Sequence, residues 1–280
     1  MAETHSEPLF FTQSSIHTPT LRVVLLHGLG GESSVWNELR AILERKYPVE
    51  TVAFDLAGQG RSSRQYPIEM YGVTAQAELI CEQLSALPKL PTVLVGHCYG
   101  SLVSLVLAEK MGRLEKLILI STGQQLPIVG ELAVHTIGKR FFDSVFNSMY
   151  AIIPKTHIAK RRDFTSVMNA GQFSVRRVFQ DVLHTSLPTY LQLLWKAAQF
   201  SAAEYLRLLK VPTHILQGAD DLIYPVRKLL PIVEANKHLS LTVLPNAHHV
   251  MVLQFVRTKL FSEIAALCED VLKEKGLLKL

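Results

Sequence analysis

Apolar runs with strand character recur at Arg22 to Leu26, Val49 to Phe54, Thr92 to Val95, Lys116 to Ile120, Thr213 to Gln217 and Leu241 to Leu244. Segments of helical period lie between most of them, at Ser34 to Lys46, Tyr71 to Leu87, Leu102 to Met111, Val226 to Asn236 and Val256 to Lys275. Strands that are apolar almost throughout have no side to show to water, so they belong in a sheet covered on both faces. Alternation with helices makes that sheet mostly parallel. The expected class is α/β, a mostly parallel central sheet flanked by helices. Right-handed crossovers bring the loops at the strands' C-terminal ends to one edge, where sites of open α/β sheets form.

The alternation breaks once. From about Thr122 to Tyr205 there are only helical candidates, such as Ile128 to Phe146 and Tyr190 to Leu209, punctuated by Pro127, Pro154, Gly171 and Pro188. That is too long for a simple connection, and the sheet pattern resumes at Val211-Pro212-Thr213. The expected organisation is a core of residues 1–121 and 206–280 with a helical cap inserted at 122–205. With 280 residues, 48% hydrophobic and 19% charged, the chain can fill one large core and is not of disordered composition.

Glu3, His5, Glu7 and Pro8 surround only a short apolar patch, Leu9-Phe10-Phe11, which matches neither a signal peptide nor a membrane span. Cys81, Cys98 and Cys268 are odd in number and unpatterned in spacing, which argues against a disulfide framework and for a reducing compartment, the cytoplasm. The net charge of +5 is mild. Its local concentration is Lys155, Lys160, Arg161, Arg162, Arg176 and Arg177. Such a run reads either as a solvated helix face or as a docking surface for an anionic membrane or a phosphate-bearing acyl carrier. No basic-aromatic interleaving accompanies it, so nucleic acid is not an expected partner.

The chemistry concentrates in four loops. Gly96-His97-Cys98-Tyr99-Gly100 joins an apolar strand to a helix in the pattern of a nucleophile elbow, Gly-x-Ser-x-Gly, with Cys98 in place of Ser. Gly96 and Gly100 suit the close strand-to-helix approach that such a turn requires. A Ser-to-Cys replacement would read the same way, and a plainly buried thiol is the bland alternative. His27-Gly28-Leu29-Gly30-Gly31 follows the first strong strand, and its glycines allow backbone N–H groups to face a cavity. The N–H groups of Leu29 and Tyr99 are the candidate donors to an oxyanion. The glycine spacing fits neither a dinucleotide fingerprint nor a P-loop, and neither a cofactor nor a metal is expected. Gly218-Ala219-Asp220-Asp221 and Pro245-Asn246-Ala247-His248-His249 each follow a strand, placing an acid and a base on the same edge as Cys98. A base raises the thiolate fraction, and a carboxylate orients the base.

Taken with Asp55-Leu56-Ala57-Gly58-Gln59-Gly60-Arg61-Ser62, these loops resemble those of the α/β-hydrolase superfamily over about Arg22 to Leu272. The resemblance implies that Asp221 rather than Asp220 is the acid. It implies that His249 is the base, although His248 occupies a position usually held by Gly and stays an alternative. Asp55 is given no catalytic role, and His97 is expected to pack. Cys98 implies acyl chemistry through an S-acyl intermediate. The expected activity is hydrolysis of a small-molecule carboxylic ester or thioester. The alternatives are acyl transfer by the same Cys98, His249 and Asp221, and a non-catalytic ligand-binding role. Phe141, Phe142, Phe146, Met149, Tyr150, Phe164, Met168, Phe173, Phe179 and Trp195 are candidates to line an acyl pocket or, more blandly, to pack the insertion.

Overall fold

The computed structural model describes residues 7–125, 136–158 and 162–278. Seven strands form one sheet: β1 (Phe11–Gln13), β2 (Leu21–Leu26), β3 (Val49–Phe54), β4 (Thr92–His97), β5 (Leu114–Ile120), β6 (Thr213–Gly218) and β7 (Leu239–Leu244). Their order is β1-β3-β2-β4-β5-β6-β7, with β1 antiparallel to β3 and every other pairing parallel. Six of these were legible as apolar runs. β1 was not, because three half-exposed residues on an edge carry too little pattern.

Every residue of β2, β3 and β4 is buried. The period-2 geometry of a strand divides them between two cores. Val24, Leu26, Val52, Phe54, Leu94 and Leu119 face one cluster, which contains α2 (Val73–Ser85) and α3 (Tyr99–Lys110). Val23, Leu25, Ala53, Val95 and Ile120 face the other, with α1 (Asn37–Lys46) and α9 (Arg257–Glu274). In α3 every residue from Tyr99 to Ala108 is buried, so this helix is apolar all round and lies at the centre. It begins at Tyr99, three residues before the periodic stretch seen in the sequence, because the chain turns from strand to helix at Cys98 itself.

Between β5 and β6 the described residues contain α4 (Thr136–Ile152), α5 (Val175–Thr185), α6 (Leu187–Gln199) and α7 (Ala203–Leu208), and no strand. α8 (Val226–Ala235) follows β6. The part of the expected 128–146 helix before Thr136 lies outside the described residues. Phe142, Phe146 and Trp195 pack α4 on α6 with ring centroids 5.3 to 6.0 Å apart, and the Trp195 indole donates to Asp143 at 2.7 Å. Tyr150 ties α4 to the core through Tyr66 O, at 2.8 Å, and the Tyr71 hydroxyl, at 2.9 Å. No helix of the described residues is long and apolar enough to cross a membrane.

The tightest approach in the fold is α3 against β2. A Cβ on Gly100 would stand 2.5 Å from the carbonyl oxygens of both Leu26 and His27, and backbone on that side cannot give. Gly100→Ala is therefore expected to destabilise the protein by about 1–3 kcal/mol in urea denaturation, the range for overpacking a filled interior. Gly112→Ala, where nothing lies within 4 Å, should leave the midpoint where it is.

Candidate active site

Three strand ends converge. Cys98 leaves β4 with φ 52 and ψ −115, a left-handed conformation rare outside glycine. That turn lifts the thiol out of the sheet edge and aims the N–H of Tyr99 back at the sulfur, while the N–H of Leu29 approaches it from the loop after β2. His249, in the loop after β7, places Nε2 3.0 Å from Cys98 Sγ and Nδ1 3.0 Å from Asp221 Oδ2. Asp221, in the loop after β6, also accepts from Gln217 Nε2 at 2.7 Å and from the backbone N–H groups of Ile223 and Tyr224 at 2.9 and 2.8 Å.

The electrostatics follow from these bonds. Burial pushes the Cys98 thiol up, but the charge and hydrogen bond of His249, with the N–H groups of Tyr99 and Leu29, hold it below its ordinary value. Burial pushes His249 down, yet the Cys98 thiolate and the Asp221 carboxylate raise it to about 10. Burial also opposes ionisation of Asp221, and its bonds to His249, Tyr224 and Ile223 bring it below the carboxylate range. Along the line from Cys98 through His249 to Asp221, each group thus favours the charged form of its neighbour.

His97 and His27 hold this line from behind. His97 is sealed, and burial and the His249 charge depress it to about 3, so it is neutral. Its Nε2–H donates to the His249 carbonyl at 3.0 Å. It thus anchors the base-bearing loop. His27 bonds Gly28 O through Nδ1 at 2.8 Å and accepts from Leu56 N at 3.0 Å, which fixes the loop bearing Leu29. A Cβ on Gly28 would stand 2.8 Å from His97 Nδ1, so the loop approaches because that residue has no side chain.

Asp220 is exposed, and its backbone is held on both sides, its N–H donating to Ala247 O at 2.9 Å and its carbonyl accepting from Gln172 Nε2 at 3.2 Å. His248 accepts from Val250 N at 3.2 Å and bonds the Ala170 backbone, so its ring points away from the sulfur. Asp55 is buried and accepts from Ser33 N at 2.6 Å and Arg61 N at 2.9 Å, closing the loop after β3. Cys81 and Cys268 are free thiols away from these bonds.

A cavity of about 130 Å³ opens at Cys98 and His249, walled by Leu29, Tyr99, Leu102, Arg177, Tyr190, Leu194, Ala197, Ile223 and Tyr224. None of the ten aromatic and Met candidates of the insertion lines it. They pack within the insertion, pack on the core as Tyr150, Phe164 and Met168 do, or stand exposed as Phe141 and Phe173 do. The basic stretch also differs from expectation. Arg162 and Arg177 turn inward onto Asp181, at 2.6 and 2.7 Å, rather than forming a solvated or docking face. Arg176 is exposed, and Lys160 and Arg161 lie outside the described residues. Arg177, Tyr190, Gln172 and Gln217 were not singled out as site residues. Of these only Gln217 left a signal, a polar residue at the end of a buried strand.

The sequence profile of the Alpha/beta hydrolase family matches residues 23–257. RutD of Cronobacter turicensis, provisionally named a carbamate hydrolase, is 24% identical over 260 residues, covering 90% of this chain and 94% of that one. An uncharacterized protein of Mycobacterium tuberculosis is 27% identical over 220 residues, 73% of this chain. The match spans 63% of that protein's length. Among solved structures, a thermophilic esterase from Thermogutta terrifontis superposes with TM-score 0.66 at 21% identity, over 94% of this chain and 93% of that one.

The line of charges has a direct readout. A depressed thiol is reactive above its lowered pKa and silent below it, so alkylation of Cys98 by iodoacetamide should inflect at a lower pH than that of an ordinary thiol. In His249→Ala the inflection should move up into the ordinary thiol range or above, since burial then acts unopposed. Coincident profiles for the two proteins would mean that His249 does not charge the sulfur.

Proposed function

The chain belongs to the alpha/beta hydrolase family, and from that premise we propose that it is an acyl hydrolase that cleaves a carboxylic ester or thioester through an S-acyl intermediate on Cys98. One observation carries this reading: the sulfur stands at the end of a hydrogen-bonded line from Asp221 through His249 while two backbone N–H groups face it.

The thiolate attacks the substrate carbonyl carbon, and the Sγ–C bond forms as the carbonyl electron pair moves to oxygen. The Leu29 and Tyr99 N–H groups receive that oxyanion without rearranging, because both are held by backbone geometry. Collapse breaks the bond to the alkoxide or thiolate leaving group, which takes the proton of the His249 imidazolium. His249, now neutral, removes a proton from water. The resulting hydroxide attacks the thioester, the C–S bond breaks, and the acid leaves with Cys98 restored as thiolate beside a reprotonated His249. Asp221 keeps the imidazole oriented throughout. Relatives named for hydrolysis favour water over another acceptor, and an acid and a base in bonding register with the sulfur favour catalysis over simple ligand binding.

Cys98→Ala should lower turnover of a short activated ester by about a thousandfold or more, and His249→Ala by a similar factor, whereas His248→Ala should lose less than about tenfold. Cys98→Ser should retain or raise turnover, since donors and base suit an oxygen nucleophile. Wild-type rates in Cys98→Ala would sink the assignment. Intact-mass measurement during turnover separates hydrolysis from transfer. Steady turnover in water with little acyl adduct is expected, and an adduct that persists for many minutes and collapses only when a thiol or amine is added would favour acyl transfer.

A further inference from the structure

The wall of the Cys98 cavity contains an acceptor deficit. Arg177, on α5, gives Nη1 to Asp181 at 2.7 Å and Nη2 to the Gln172 carbonyl at 2.8 Å. The other oxygen of Asp181 is taken by Arg162 at 2.6 Å, so two guanidiniums share one carboxylate. Arg162 and Asp181 are both sealed, with 3% of their side chains exposed. Two buried guanidinium nitrogens of this cluster, Arg177 Nε and Arg162 Nη2, have no hydrogen-bond partner among the described residues. A buried cation without full neutralisation is expensive, and an anion arriving beside it restores the balance.

Arg177 faces the cavity that holds Cys98 and His249, and among the described residues no Asp or Glu lines that cavity. Its remaining walls are apolar, Leu29, Leu102, Leu194, Ala197 and Ile223, apart from the rings of Tyr99, Tyr190 and Tyr224. In a cavity of about 130 Å³, a few carbons fit between a reacting carbonyl and a guanidinium.

Resting on Cys98 as the reacting atom, we propose that the acyl group taken by this site is short and ends in a carboxylate, as in a monoester or monothioester of a short dicarboxylic acid, and that Arg177 selects it. The carboxylate pairs with the Arg177 guanidinium, a charge-assisted contact strengthened by the enclosed surroundings. The apolar walls take the intervening methylenes, and the carbonyl lies against Cys98 and the Leu29 and Tyr99 N–H groups.

The test compares kcat/KM for the S-ethyl monothioester of succinic acid with that for the neutral S-ethyl thioester of pentanoic acid, followed by chromatography of the released acid. The wild type should favour the anionic substrate at least tenfold. Arg177→Gln should lower that ratio at least tenfold, and Arg177→Lys should recover part of it. Equal rates in the wild type, or a ratio that Arg177→Gln does not move, overturns the proposal. A binding readout is independent of turnover: butyrate should slow alkylation of Cys98 by iodoacetamide, butyramide should not, and Arg177→Gln should abolish the protection. If neither thioester is turned over, the hydrolase reading falls while protection by butyrate still decides the anion site, its absence counting against it. Should Arg177→Gln fail to fold, the wild-type ratio and the protection pattern decide.

Discussion

The site depends on one residue being held where its backbone does not prefer to be. A non-glycine residue at φ 52 and ψ −115 carries strain of about 1–3 kcal/mol, and at Cys98 the surroundings leave no alternative. Its N–H is taken by Ile120 O of β5 at 2.9 Å, and its carbonyl accepts from Ser101 N at 2.9 Å and the Ser101 hydroxyl at 2.6 Å. Relaxing the turn would withdraw α3 from the sheet, and α3 is buried along ten consecutive residues. The hydrophobic gain from that helix holds the strain in place. The Tyr99 N–H points at the sulfur only because the turn is made this way.

A thiol changes how the machinery is poised. In the proposed chemistry a thiol held below its ordinary pKa is more readily charged before substrate arrives, whereas a hydroxyl would have to give up its proton during attack. The protein stabilises that resting charge with fixed dipoles and one remote carboxylate rather than with solvent. Neutral His97 matters for the same reason. A cation at that position would oppose the charge on His249, whose ring centroid is 5.9 Å away, and burial keeps it neutral.

Local chemistry was legible in the sequence, and long-range chemistry was not. Cys98, Asp221 and His249 each sit in a turn whose residue types follow from a strand ending and a helix or loop beginning, so each loop announced itself. The loop glycines did the same, and the sequence shows why in Gly96 and Gly100 flanking the nucleophile. By contrast, Arg162 and Arg177 read as surface charge because nothing near them in the sequence says that both fold onto Asp181. The spacing of Arg177 to Asp181 is that of an ordinary helical ion pair, and only packing of α5 beneath the loop at Gly30 turns it inward. A Cβ on Gly30 would stand 2.5 Å from Asp181, which is how closely the two segments meet. Of the two readings the sequence left for the insertion's aromatic residues, packing applies to Phe142, Phe146 and Trp195 between α4 and α6, while Phe141, Phe173 and Phe179 stand exposed.

The insertion and the sheet supply different kinds of residue to one cavity. Cys98, His249 and both N–H donors come from strand ends and the turns that follow them, whereas Arg177, Tyr190, Leu194 and Ala197 come from α5 and α6. In the proposed reading, reactivity and selectivity are therefore encoded in separate stretches of the chain. Changes in α5 and α6 can redraw what the cavity admits while the strained turn and its base stay untouched, and drift in the two parts can proceed under independent pressures.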